Sequence, residues 1–127
     1  MKRKYFIIFT IIFLPLTSLG TPELNLSHLE FLRDEFQIES ETKIGYWIYA
    51  EKYGDKYVHT EAKGEGVTCV DDVARVAVLY TELYKLDNND FYLQRAKEAL
   101  DFVMAFQDTD GDFYNFVFED GSINKQG

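Results

Sequence analysis

Thr68 to Leu86 reads TCVDDVARVAVLYTELYKL, and how this stretch is read decides the fold. Between Val70 and Tyr80 only Asp71, Asp72 and Arg75 are charged, so a helix formed here is apolar on nearly every side. A helix apolar around its circumference has to be buried around its circumference. Thr68 stands three residues ahead of Asp71, a spacing that resembles a capping box and marks the helix start. Asp87-Asn88-Asn89-Asp90 then interrupts the pattern and offers N-cap residues for a second helix. That helix continues through FYLQRAKEALDFVMAFQ, with Leu93, Ala96, Leu100, Val103 and Met104 on one face and Gln94, Arg95, Lys97, Glu98 and Asp101 elsewhere. A buried helix and an amphipathic one across a short connector make an antiparallel αα-hairpin. The rest of the chain offers too little mass to surround the inner helix, so the pattern predicts a larger assembly of inner helices walled by outer ones.

Upstream, Leu26-Ser27-His28-Leu29-Glu30-Phe31 reads as a helix start. Ser27 serves as N-cap, Glu30 completes the capping box, and Leu26 is placed to staple against Phe31. Leu29, Leu32 and Phe36 continue one face, which carries this first helix to about Glu39. Two β-prone stretches follow, Tyr46 to Tyr53 and Tyr57 to Glu61, around Gly54-Asp55, a hairpin signal. Tyr46, Trp47, Tyr49, Tyr53 and Tyr57 gather there. Exposed aromatic faces make good sugar platforms, and aromatic pairs are also what hairpins use across strands.

At the N-terminus, Lys2, Arg3 and Lys4 precede an apolar run from Tyr5 to Leu16 and then Ser18-Leu19-Gly20. This is the layout of a secretory signal peptide over residues 1–20. The run is about a dozen residues and contains Pro15, short of the about 20 that a membrane-spanning helix needs. The mature chain is then 21–127, secreted or periplasmic, with no membrane partner once the signal is removed. The twenty removed residues hold three basic and no acidic side chains, so the formal charge moves from −9 to −12. An acidic chain of this kind is repelled by phosphates, which argues against nucleic acid as a partner. Cys69 is the only cysteine, so no internal disulfide can form, and its apolar neighbours predict a small buried thiol.

Two segments carry a resemblance to a known family. GEGVTCVDDVARVAVLY, from Gly64 to Tyr80, and ALDFVMAFQDTDGDFYNF, from Ala99 to Phe116, resemble the six-hairpin glycosidase-like superfamily. Its members often start an inner helix with VDD-x-AR and close an outer helix with Q-x-x-DG-x-F. Here these are Val70 to Arg75, and Gln107-Asp108-Thr109-Asp110 ahead of Gly111. The resemblance implies a mainly α fold, an αα-hairpin of an incomplete (α/α)6 toroid with a small β-hairpin, in which residues 21–127 form a truncated N-terminal portion. It also implies a carbohydrate partner, and a glycoside hydrolase-like enzyme acting on polysaccharide or oligosaccharide, inactive as this portion alone.

By that resemblance, Asp71 and Asp72 sit at the cleft end of an inner helix as general acid, base or sugar ligand. Carboxylates in a helix's first turn are also favoured by the macrodipole, and Asp71 to Arg75 is an i,i+4 pair. Neighbouring residues on a helix point about 100° apart. Asp71 and Asp72 are therefore poor partners for hydrolysis, which places two carboxyls about 5 to 9.5 Å apart on either side of one bond. The second is expected from further chain downstream, with Glu65 as the alternative. With Trp47 and Tyr49, the substrate-binding set is completed by Glu65, Arg75, Tyr114 and Asn115.

DTDGDFYNFVFE, from Asp108 to Glu119, places Asp108, Asp110, Asp112, Tyr114 and Glu119 at positions 1, 3, 5, 7 and 12 of an EF-hand loop. Position 6 is Phe113 where that loop needs glycine for its sharp turn. The segment reads better as a tight Asp-Gly turn leading into a strand after the outer helix. No cofactor is expected; a looser oxygen-donor calcium site through Asp108, Asp110 and Asp112 is the metal alternative. From a different class, a small exported acidic module binding carbohydrate or calcium is the competing reading of the whole chain.

Overall fold

The computed structural model describes residues 24–126, so the signal peptide expected over residues 1–20 lies outside the described residues. The chain runs α1 (Ser27–Leu32), β1 (Arg33–Ile38), β2 (Glu41–Tyr46), β3 (Tyr49–Tyr53), β4 (Lys56–Thr60) and β5 (Thr68–Cys69). It continues through α2 (Val70–Asp87), α3 (Asp90–Met104), β6 (Phe116–Val117) and β7 (Ile123–Asn124). Among the described residues helix makes up 38% and strand 31%, in three helices and three antiparallel sheets. The expected mainly α fold, an αα-hairpin of an incomplete (α/α)6 toroid with one small β-hairpin, is thereby overturned: the architecture is mixed α and β.

The first correction lies in the entry segment. The helix expected to reach Glu39 stops at Leu32, and Arg33 to Ile38 pairs antiparallel with Glu41 to Tyr46 instead. Phe36 and Ile38 are both buried on one face of β1, a period of two that prevails over the helical spacing of Leu29, Leu32 and Phe36. The capping box does not form either. Leu26 occupies the N-cap without a side-chain bond, and Glu30 reaches away to Tyr80 and Arg95.

The hairpin around Gly54-Asp55 is present as β3 and β4, with Tyr53 opposite Lys56. Gly54 has a φ of 61° and Asp55 does not share that sign, the arrangement of a type II′ turn. Tyr46 belongs to β2 and faces the core, outside this hairpin.

Helix α2 starts at Val70 and runs to Asp87, where Asn88 closes it in the left-handed region. Thr68 does not cap it. Thr68 sits in β5, wholly buried, and its Oγ1 has no hydrogen-bond partner. Asn115 closes the helix start instead, its carbonyl accepting from the Val70 N–H at 2.8 Å and its Oδ1 from the Asp71 N–H at 3.2 Å. The αα-hairpin of α2 and α3 is formed, with Asn89 capping α3 through the Phe91 N–H.

Burial within that hairpin differs from the expected pattern. Val73, Val76, Ala77 and Tyr80 of α2 are buried, but Val78 is 63% exposed, so α2 is not walled on all sides. In α3 the buried face is Ala96, Ala99 and Phe102, whereas Leu100 and Met104 are 52% and 58% exposed. The core lies between this helix pair, the β1–β2 hairpin and the β5–β6–β7 sheet, centred on Val73, Tyr80, Phe102, Phe106 and Val117.

A charged chain ties the elements together. Arg33 of β1 donates to Glu98 at 2.8 Å, Arg95 donates to Glu98 at 3.2 Å and to Glu30 of α1 at 2.9 Å, and Tyr80 of α2 donates to Glu30. Burial and the Glu30 hydrogen bond push the Tyr80 hydroxyl far above its ordinary range. Among the described residues, no helix is long and apolar enough to cross a membrane.

Candidate functional site

Trp47 and Ile48 form the short link from β2 to β3, and their backbone pins three regions together. The Trp47 N–H donates to the Leu32 carbonyl at 2.8 Å, and the Ile48 N–H donates to the Val67 carbonyl at 3.0 Å. The indole is therefore held at the junction of α1, the β3–β4 hairpin and the strand leading into β5. Its Nε1–H donates to Asp34 Oδ2 at 3.0 Å.

From Trp47 a line of rings extends across the molecule. Phe36 packs on it from the core at 5.7 Å between centroids. On the other side His59 stacks at 5.0 Å and 24°. His59 in turn meets Phe31 at 4.5 Å, Phe31 meets His28 at 5.9 Å, and His28 meets Tyr57 edge-on at 5.4 Å. His59 and Tyr57 share a face of β4 because they are two residues apart on a strand, and that face covers α1. His59 Nε2 lies 2.8 Å from the Phe31 carbonyl. A carbonyl only accepts, so Nε2 carries the proton, and Nδ1 faces Asp34 Oδ2 at 4.0 Å.

Two clefts flank these rings. One, of about 320 Å³, is lined by Trp47, His59, Thr60, Glu61, Val67 and Glu119. The other, of about 500 Å³, is lined by Ser27, His28, Phe31, Lys56 and Tyr57. The first combines an aromatic wall, an apolar floor at Val67, two carboxylates and the Thr60 hydroxyl, whose oxygen is buried without a hydrogen-bond partner. Such a set offers aromatic edges and an apolar floor to a ligand while exchanging hydrogen bonds with hydroxyls around it.

Of the expected catalytic and substrate-binding residues, only Trp47 lines this cleft, joined by Glu119 from the expected loop Asp108–Glu119. Tyr49 is exposed, pairs across the hairpin with Thr60 and is not part of the line of rings. Asp71, Asp72 and Arg75 lie together in the first turns of α2, with Arg75 Nη1 2.8 Å from Asp72 Oδ1 and Arg75 Nη2 3.9 Å from Asp71 Oδ2. Asp72 also accepts from the Cys69 thiol at 3.2 Å. Burial pushes that thiol up to about 11, so Cys69 stays a neutral, unreactive side chain at neutral pH.

Asn115 is engaged as the closing residue of α2. Glu65 contributes its carbonyl to Asn124 Nδ2 at 2.9 Å, while the residue itself is exposed. Tyr114 donates to Asp108 Oδ2 at 2.8 Å, which with the Thr109 N–H holds the Asp108 carboxyl below its ordinary range. Asp110 accepts from the Asp112 N–H at 3.0 Å, the local bond of a turn. Among the described residues, no group of three or more His, Cys, Asp or Glu side chains is placed to hold a metal ion.

Sequence reasoning grouped Tyr57 with Trp47 but missed His59, Glu61 and Glu119 as a set with Trp47. The alternation of Tyr57 and His59 on one strand face was a usable signal. Glu119 had none, because it reaches the cleft only through the chain's return after α3. No protein-family model matches this chain, and no curated protein matches it.

Proposed function

We propose that this chain is an exported carbohydrate-binding protein that takes a neutral saccharide into the cleft beside Trp47. The observation that carries this reading is the Trp47–His59 stack forming one wall of a cleft whose other polar groups are Thr60, Glu61 and Glu119. The saccharide lies against the open edge of the Trp47–His59 stack, since Phe36 and His59 cover the two faces of the indole, and the carboxylates accept hydrogen bonds from sugar hydroxyls. Asp34 and the Phe31 carbonyl fix the tilt of Trp47 and His59, so the platform is formed before the ligand arrives. The formal charge of −9 selects against sulfated or uronic saccharides.

Two carboxylates in one cleft also raise hydrolysis as a second reading. Glu61 and Glu119 are both exposed, however, and a general acid is kept protonated near neutral pH by an apolar surround. They are placed to bind rather than to transfer protons. Calorimetric titration of the full chain with cellohexaose and with chitohexaose tests the proposal. Saturable binding to at least one, weakened about tenfold or more by Trp47→Ala and about two- to tenfold by Glu61→Gln or Glu119→Gln, is expected. Binding unaffected by all three changes, or no heat with either sugar, contradicts it.

A further inference from the structure

Among the described residues, the α2–α3 pair leaves one face uncovered. Along α2 the outward stripe reads Asp71, Ala74, Arg75, Val78, Thr81, Glu82 and Lys85. Val78 is 63% exposed and stands at the edge of an apolar groove of about 280 Å³, closed on the far side by Leu100 and Val103 of α3. Asp71 and Lys85 each stand seven residues from Val78, two turns away in opposite directions. Arg75 and Glu82 stand three and four residues away, again on opposite sides. The stripe is therefore near-antisymmetric in charge about Val78.

We infer that the open face is a two-fold interface between two copies of this chain, with the α2 helices antiparallel and crossing at Val78. In that arrangement Asp71 meets Lys85 of the partner subunit, and Arg75 meets Glu82 of the partner subunit. Both contacts occur twice, as an isologous interface requires. Val78 of each copy enters the other's groove between Ala74, Thr81, Leu100 and Val103. Parallel packing would instead oppose like charges at both ends. Within one copy these side chains pair only along their own helix, Arg75 with Asp72 at 2.8 Å and Lys85 with Glu82 at 2.7 Å, and all are solvent-accessible. They can re-pair across the interface without uncovering a buried charge.

The size of the face sets the expected strength. A helix of this length is about 27 Å long, and two helices side by side are about 20 Å wide, so a pair of copies covers about 1,000 Å² in all. That is the lower bound for a specific interface and corresponds to a reversible dimer rather than an obligate one. The saccharide cleft shares no residue with this face.

Sedimentation equilibrium of the full chain tests the inference. A reversible monomer–dimer equilibrium is expected, abolished by Val78→Arg with unchanged far-UV circular dichroism. Arg75→Glu and Glu82→Arg should each weaken the dimer about tenfold, and the two changes together should recover most of that loss. The recovery holds even if Val78→Arg disturbs folding, and a merely local effect on helix stability would not produce it. Val78→Cys should cross-link to its own copy under mild oxidation, since a residue beside the two-fold axis meets itself. Association that survives Val78→Arg in a folded chain, or charge swaps that do not rescue each other, overturns the proposal. So does a monomer at every concentration, whether its Val78→Cys thiol is freely alkylated, as for a groove left to another partner, or protected, as for cover by the residues ahead of Leu24.

Discussion

Gly45 shows how a single hydrogen decides packing in this core. It lies in β2 opposite Asp34, and a Cβ built there would stand 2.5 Å and 2.8 Å from the Phe102 ring and 3.0 Å from Phe36. Phe102 is fully buried and packs against Phe106 at 4.9 Å, so it has nowhere to retreat. Gly45→Ala is expected to cost about 1 to 3 kcal/mol as overpacking, lowering the melting temperature by roughly 5 to 20 °C in a scanning thermal melt. A melt within about 2 °C of the parent would mean the β1–β2 hairpin does not rest on α3 as described. At this scale the sequence was only partly legible. Trp47 could be singled out by type, but its partners Asp34 and His59 are 13 and 12 positions away and meet it through strand pairing and a chain link that no local pattern states.

Between elements, the deciding interactions are long-range and charged. Leu29, Leu32 and Phe36 fit a helix, yet Arg33 to Ile38 is a strand because Phe36 and Ile38 can be buried together only at a spacing of two. The capping signals at Ser27–Glu30 and Thr68–Asp71 failed because distant groups intervened: Glu30 pairs with Arg95, and Asn115 accepts from the Asp71 N–H 44 positions away. The αα-hairpin was legible because Asn88 and Asn89 act locally, one in the left-handed region and one as N-cap.

Glu98 provides a test at this scale. Burial pushes its carboxyl up, but hydrogen bonds from Gln94 and Arg33 and the charges of Arg33 and Arg95 outweigh that and hold it below its ordinary 4.5. A folded value below the unfolded one means that Glu98's contribution is fully present above pH 4.5 and is lost as pH falls through the folded value. Glu98→Gln is therefore expected to be about 1 to 2 kcal/mol less stable at pH 7, with the gap to the parent closing toward pH 3 in parallel denaturant titrations. A gap that stays constant over that range would show that the charge on Glu98 contributes nothing.

Across the whole molecule, the motifs at Val70–Arg75 and Gln107–Phe113 mark an αα-hairpin and the turn after it, and both are present. They do not fix what surrounds the pair. Nearly a third of the described residues are in strand, contributed largely by segments whose pairing partners lie across turns or on the far side of α2 and α3. The candidate site lies apart from the helix start on which the expected catalytic residues stand. Asp71, Asp72 and Arg75 remained at a helix start, while the aromatic and acidic groups of α1, β3–β4 and the chain after β6 converged on Trp47. The central claim, that this convergence is a saccharide site, is tested most directly by nuclear magnetic resonance. Trp47 is the only tryptophan, so its indole N–H gives a single, unambiguous signal. Titration with the oligosaccharide that binds best is expected to shift that signal together with the amides of His59, Thr60, Glu61 and Glu119. Shifts confined to Asp71, Asp72, Arg75 and Asn115, with the indole signal unmoved, would contradict it.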